Sequence, residues 1–217
     1  GLRSMFSSFD VSIGDTPHNP EDAMTYRVTT VDERFSRVVL DVAGPTISGT
    51  AIAFVRAVPV DQRPDTTAVE PGEFAGWRVL VVGGSRGLGA ACVELLAAGG
   101  ADVRFTYHHG TDDAAGVAAA SGATAHRLDA LAPDPGLAAI AADGWSPTHL
   151  AYFASPPIFV GMPGAYSTTL ATGFHAVYVD AFERIVESLD PELLQGVLWP
   201  SSQAVETATP GLAEYAD

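Results

Sequence analysis

The sequence predicts an α/β fold, in which a doubly wound parallel sheet follows a small antiparallel β segment. Three observations predict it. Before about residue 60 the chain reads as strands and turns. From Trp77 onward, short apolar runs alternate with helical stretches, as in a parallel sheet covered on both faces. The first of those runs ends in a cluster of glycines that opens a helix.

The elements are expected in the following order. Thr25–Thr30 and Arg37–Val42 alternate or run apolar as strands do, and Thr46–Val58 continues as a long strand after the Ala43-Gly44-Pro45 turn, making an antiparallel hairpin. Residues 59–76, with their prolines, glycines and charges, read as a linker. Arg78–Val82 is then a buried strand and Leu88–Ala98 a helix, with Leu88, Cys92, Leu95 and Leu96 near one face and Gly99-Gly100 ending it. Asp102–Tyr107 is the next strand, and Thr111-Asp112-Asp113 caps an alanine-rich helix running to Ala120. Thr124–Leu128, Leu150–Ala154 and Gly196–Trp199 complete the strands. Asp134–Ala142 and Leu170–Leu189 are expected helices, the latter stopped by Asp190-Pro191. The expected organisation is therefore a β segment at 1–58, a linker at 59–76 and a parallel-sheet domain at 77–217.

Composition excludes several classes. With 26 acids, 11 bases and a net charge of −15, the surface repels nucleic acid and anionic lipid. All the bases are arginine. No apolar run approaches the ~18 residues that span a membrane, and no signal peptide is visible, so the expected location is the cytoplasm. The single cysteine, Cys92, forms no internal disulfide and reads as a small apolar helix residue. Six histidines and one cysteine show no metal-ligand spacing, and Ser202 lacks a nucleophile elbow. His18 reads as a solvated turn residue. The chain starts at Gly1 rather than Met, as a fragment or processed chain does.

The chemistry is expected at Val79-Leu80-Val81-Val82-Gly83-Gly84-Ser85-Arg86-Gly87-Leu88-Gly89. Strand, glycine turn and helix start are the context of a dinucleotide site. Gly83 permits the turn, Gly87 admits a pyrophosphate, and Gly89 lets helix pack on strand, so the free N–H groups of the helix start meet the phosphates. Ser85 and Leu88 belong to the same cradle. An acidic residue ending the second strand would bind a ribose hydroxyl, but this strand ends Thr106-Tyr107-His108-His109. Arg86, in the turn, suits a 2′-phosphate, with Tyr107 and His108 beside it, so NADP is favoured over NAD. Asp129, after the third strand, is placed to meet the adenine.

The spacing Gly83-x-x-x-Gly87-x-Gly89 resembles the classical short-chain dehydrogenases/reductases, and Ser85-Arg86-Gly87-Leu88-Gly89 is similar to the turn of NADP-dependent 3-oxoacyl reductases. Ser202 and Tyr215, thirteen residues apart, resemble that family's catalytic pair. The resemblance spans 77–217 and implies a Rossmann fold, carbonyl reduction with Ser202 orienting the carbonyl and Tyr215 donating the proton, and Ala154 at the cofactor. It implies a lysine four residues past the tyrosine, whose charge would ease loss of the phenolic proton. The chain ends before that position, so the 217 residues are expected to bind nucleotide and to reduce ketones poorly. Tyr152-Phe153-Ala154-Ser155 stands where the family carries Asn-Asn-Ala-Gly, and the family's helix asparagine has no counterpart, His175 and Tyr178 being the polar residues in that stretch.

Leu2–Ser7 with the 25–58 strands resembles the later half of a MaoC-like hot-dog domain, which implies acyl-thioester chemistry and fatty acid metabolism. The expected partner is a small ketone or acyl thioester, and an exposed sheet edge leaves room for a homo-oligomer. The alternatives are a non-catalytic nucleotide-binding or scaffold module, and part of a hydratase–reductase fusion.

Overall fold

The structure, a computed structural model, describes residues 4–15, 23–56, 63–158, 166–207 and 211–217. It divides into two compact units, Gly1–Asp61 and Gln62–Asp217. Leu2, Arg3, His18, Ala57, Val58 and the expected linker residues 59–62 lie outside the described residues.

The first unit is a four-stranded antiparallel sheet, made of β1 (Ser4–Ile13), β2 (Thr25–Asp32), β3 (Arg37–Ala43) and β4 (Ile47–Val55) in the order β1-β4-β3-β2. The expected β3–β4 hairpin is present, with Ala43 paired to Ser48. The strand β1 has no counterpart among the individually expected strands. A register shift between Phe6 and Ser8 explains why, since a bulge resets the inward–outward alternation and places Phe6 and Phe9 on one side. Their rings lie 4.9 Å apart. Cross-strand pairing sets Phe6, Phe9, Val28, Val31, Val38 and Leu40 on the face of Ala51 and Ala53, while Asp10, Arg27, Asp41 and Thr50 share the other. The polar face carries the Arg27–Asp41 ion pair at 3.4 Å.

The second unit is a five-stranded parallel sheet with helices between the strands. Its strands are β5 (Arg78–Val82), β6 (Asp102–Tyr107), β7 (Thr124–Arg127), β8 (His149–Tyr152) and β9 (Gly196–Leu198), in the order β7-β6-β5-β8-β9. The helices are α1 (Gly87–Ala98), α2 (Thr111–Ser121), α3 (Asp134–Ile140), α4 (Thr168–His175), α5 (Ala181–Glu187) and α6 (Ala213–Ala216). The order runs outward from β5 in one direction and then resumes at β8 on its other side. That reversal opens a crevice beyond the carboxyl ends of β5 and β8, where such sheets bind ligands. Apolar side chains fill both faces of the sheet. Val79, Val81, Val103 and Phe105 pack with Val93 of α1 and Val117 of α2, while Leu80, Val82, Leu150 and Tyr152 pack with Ile140 of α3 and Ile185 of α5.

Four local features differ from expectation. Leu88 does not join the apolar face of α1 but stands exposed, and Gly89 and Val93 are the buried residues there. The start of α2 is not capped by Thr111-Asp112-Asp113: the cap position is Gly110, in the left-handed region at φ 81°, with no side-chain hydrogen bond. Asp112 and Asp113 instead lie in the first turn, where they favour the helix dipole. The expected 170–189 helix begins at Thr168 and is interrupted by a π turn, Ala176–Asp180, between α4 and α5. Residues 63–76, expected as linker, pack on the parallel-sheet unit. Phe74 N–H donates to Gly99 O at 2.8 Å, and the Phe74 ring lies 5.1 Å from that of Trp77. The Phe74 ring is apolar area to bury in a proline-rich stretch, and the end of α1 offers the surface for it. Cys92 is partly buried, which pushes its thiol up to about 11, as suits an inert packing residue.

Candidate functional site

The site grows from the end of β5. Thr106, fully buried on the neighbouring strand, holds the turn twice: its hydroxyl accepts from Gly83 N–H at 3.1 Å and its carbonyl from Gly84 N–H at 2.9 Å. Gly83 has φ +83°, and a Cβ there would stand 2.7 Å from the Ala154 nitrogen. A Cβ on Gly89 would stand 2.2 Å from the Gly83 carbonyl oxygen. The inner side of the turn is therefore closed by backbone, and only hydrogen fits at these two positions.

The outer side is open. Gly87 has φ +58°, and a Cβ on it would meet nothing within 4 Å. Arg86, Gly87 and Leu88 are exposed, while Ser85 is buried. Arg86 is extended (φ −159°, ψ 167°) at the cap position of α1, and no side chain caps the helix. The first N–H groups of an α-helix have no intrahelical partner. Here the helix start is open at Gly87, and the neighbouring Arg86 is exposed. A phosphate group fits such a mouth by charge, by donor count and by room.

The ends of β6 and β7 lie alongside. Tyr107 is half-buried and its carbonyl accepts from Leu128 N–H at 2.9 Å. His108 and His109 stack at 4.0 Å, and His108 Nε2 lies 3.9 Å from Asp129 Oδ2. Asp129 Oδ1 accepts from Leu131 N–H at 3.0 Å, which fixes its carboxylate at the rim. The structure thus brings the residues expected at a nucleotide, from Gly83 to Gly89 with Tyr107, His108, Asp129 and Ala154, to the carboxyl edge of one sheet.

Beyond β8 a cluster of hydroxyl groups continues the same edge. Ser155, one residue after Ala154, shares a hydrogen bond of 2.6 Å with the Tyr178 hydroxyl, in which either can donate. The Tyr178 ring meets that of Tyr215 edge to face at 5.7 Å, and Phe174 meets Tyr215 likewise at 5.5 Å. Burial first, and then the neighbouring Tyr215, hold the Tyr178 phenol above its ordinary value, against an opposing hydrogen bond from Ser155. Tyr215 rides on α6, tied down by its neighbours. Glu214 is buried and accepts from Ser167 N–H at 2.7 Å, and the Tyr166 hydroxyl donates to Asp217.

Ser202 follows β9 and caps the short turn Gln203–Val205, its hydroxyl accepting from Ala204 N–H at 3.2 Å. No hydrogen bond joins it to Tyr215. Its proton stays available, since a serine hydroxyl that accepts can still donate. His175 does not approach this cluster through any hydrogen bond and pairs instead with Asp180, at 3.2 Å. Reading the sequence did not single out Ser155 or Tyr152. The signal was present, because both belong to the four-residue segment that departs from the family pattern. Among the described residues no histidine, cysteine and carboxylate cluster could hold a metal ion, and no helix is long and apolar enough to cross a membrane.

No family model matches the sequence. Over 63 residues it is 48% identical to the cyclic-di-GMP-binding biofilm dispersal mediator protein of Escherichia coli K12, a stretch covering 29% of this chain and 27% of that protein. The chain thus spans about a quarter of the length of that curated relative. Among solved structures, it is similar to a double mutant of a Serratia marcescens short-chain dehydrogenase/reductase, with a TM-score of 0.57 and 27% identity over 66% of this chain and 63% of that one. An oxidoreductase from Escherichia coli matches with a TM-score of 0.57 and 18% identity, over 72% of this chain and 68% of the other, which speaks to fold alone.

Proposed function

We propose that the unit Gln62–Asp217, whose fold is similar to that of a short-chain dehydrogenase/reductase, belongs with that family, binds NADP and reduces a carbonyl group. The observation that carries this reading is the uncapped start of α1, open outside at Gly87 and closed inside at Gly83 and Gly89. Those amides would hold the pyrophosphate of the cofactor. Arg86, exposed and with no ion pair or side-chain hydrogen bond among the described residues, takes the 2′-phosphate. No carboxylate ends β6 to compete for it. Asp129 meets the adenine, with Tyr107 and His108 at its side.

When bound, the nicotinamide supplies a hydride to the carbonyl carbon. The chain's own residues handle the oxygen. Ser202, still accepting from Ala204 N–H, donates its hydroxyl proton to the carbonyl oxygen and orients it. Tyr215 gives up the proton that completes the alcohol. The similarity of the Ser85–Gly89 turn to 3-oxoacyl reductases supports a 3-oxoacyl thioester or a related ketone as substrate, and the resemblance of the first unit to a hot-dog fragment supports the same acyl chemistry. The lone free Cys92 supports a reducing cytoplasm as the setting.

Fluorescence titration with NADPH and NADH tests the reading. Arg86→Ala should weaken NADPH by about tenfold or more, the worth of one charge-assisted hydrogen bond, while leaving NADH nearly unchanged. Equal loss for both cofactors, or no binding by the unaltered chain, would sink it. A second reading, a nucleotide-binding module without turnover, is favoured by Tyr152 and Phe153 standing where the family has asparagines, and by the relative whose name states that it binds cyclic-di-GMP. It predicts nucleotide binding with no ketone-dependent oxidation of NADPH in the full-length protein.

A further inference from the structure

The helical stretch from Thr168 to Glu187 contains one irregularity. At Ala176–Asp180 it widens into a π turn. Such bulges weaken the regular ladder and persist where something holds them. Here the end of β8 does so. The Tyr152 hydroxyl, on a fully buried side chain, donates to the Val177 carbonyl at 2.5 Å. One residue on, the Tyr178 hydroxyl meets Ser155, three residues after Tyr152, at 2.6 Å. The strand end therefore grips the π turn twice, and the grip sets the Tyr178 hydroxyl on Ser155 and its ring edge to face against that of Tyr215. Phe174 and Tyr215 close the cluster with rings at 6.2 and 5.7 Å from that of Tyr178.

We propose that Tyr178 is a positioning residue for Tyr215, the middle member of a hydroxyl chain Ser155–Tyr178–Tyr215 that sets an O–H against the oxygen from which the proton leaves. The inference rests on the reading of Tyr215 as proton donor. Its hydrogen count is closed. Ser155 has one proton, and its hydroxyl also reaches the Pro156 carbonyl at 2.9 Å. In one arrangement Ser155 donates to Pro156 and Tyr178 donates to Ser155. In the other, Ser155 donates to Tyr178 and Tyr178 donates to Tyr215. As the Tyr215 O–H bond breaks and the O–H bond of the alcohol forms, an electron pair stays on the Tyr215 oxygen. The chain then turns to its second arrangement, and the Tyr178 O–H meets that pair. One proton leaves the chain, that of Tyr215, and it ends on the alcohol oxygen; Ser155 and Tyr178 keep theirs, and solvent water returns a proton to the Tyr215 oxygen before the next cycle.

The test is 19F NMR of the chain carrying fluorotyrosine, whose phenols titrate below the range of alkaline unfolding. The six tyrosines are assigned by single Tyr→Phe variants. Ser155→Ala removes a hydrogen bond that lowers the Tyr178 titration, and Tyr215→Phe removes contributions that raise it. The Tyr178 midpoint should rise in the first variant and fall in the second, by about half a pH unit or more. Ser155→Thr, which keeps the hydroxyl, should restore it, and the resonances of Tyr26 and Tyr107 report that the fold is intact. A midpoint that moves in neither variant would overturn the proposal and leave Tyr178 as a packing residue. NADPH titration of the same samples separates the two readings. Loss of the coupling with NADPH still bound defeats this inference alone. Coupling without NADPH binding defeats the proposed function and leaves the hydroxyl chain standing.

Discussion

Gly89 is the residue on which the cradle closes. A methyl group there would have to occupy the space 2.2 Å from the Gly83 carbonyl oxygen, a backbone atom that cannot swing aside. Either α1 moves off β5 or the turn opens. Gly89→Ala is therefore expected to cost about 1–3 kcal/mol in urea unfolding, as overpacking does, and to abolish NADPH binding. Gly87→Ala makes the informative contrast, since its Cβ would meet nothing within 4 Å and only the positive φ of +58° penalises it. It should cost about 1–2 kcal/mol, the strain of one left-handed residue. A Gly89→Ala protein with unaltered stability and affinity would refute the close approach. The glycine roles were legible in the sequence because backbone constraints are local. The meeting of Ser155 with Tyr178 was not, because 23 residues separate them and only the fold brings them together.

Among the elements, the parallel strands were the most legible. Arg78–Val82 and Asp102–Tyr107 are observed with the expected bounds. The first runs apolar from Val79 to Val82, as a strand covered on both faces does, and the second is set off by Gly99-Gly100 before it and His108-His109-Gly110 after it. The strand β1 escaped individual notice for the opposite reason, because the bulge after Phe6 breaks the alternation by which a one-sided strand is recognised. The π turn was illegible too. Nothing in Ala176-Val177-Tyr178-Val179-Asp180 calls for it locally, and its support comes from Tyr152 on a distant strand. That support is testable at this scale. Tyr152→Phe preserves the ring and removes one donor from the half-buried Val177 carbonyl. The expected cost is about 1 kcal/mol in urea unfolding, from the lost hydrogen bond. A change well below this would mean that the turn holds itself.

At the scale of the whole molecule, the net charge of −15 and two shielded histidines set how stability follows pH. His126 and His149 lie below the ordinary histidine value, both chiefly because burial disfavours the charged ring. His126 feels the Arg104 guanidinium as well, partly offset by Asp143. Its Nε2 is buried with no hydrogen-bond partner, so a proton added there would have no acceptor. His149 lies flat on Trp77, its ring 3.8 Å away, with Nδ1 2.9 Å from the Thr148 hydroxyl. Because the folded values are lowered, the unfolded chain binds protons first as the pH falls. The stability contributed by these two rings is complete above the unfolded value of about 6.5 and is lost as the pH drops through it toward the folded values. Relief of the acidic self-repulsion comes later, when carboxylates titrate nearer pH ~4. Urea midpoints should therefore hold steady from pH 8 to 7 and decline between pH 6.5 and 5. His126→Asn, which cannot take up the proton, should flatten part of that decline. A midpoint that stayed level or rose through this window would show that charge relief, rather than histidine burial, governs the acid side of the stability curve.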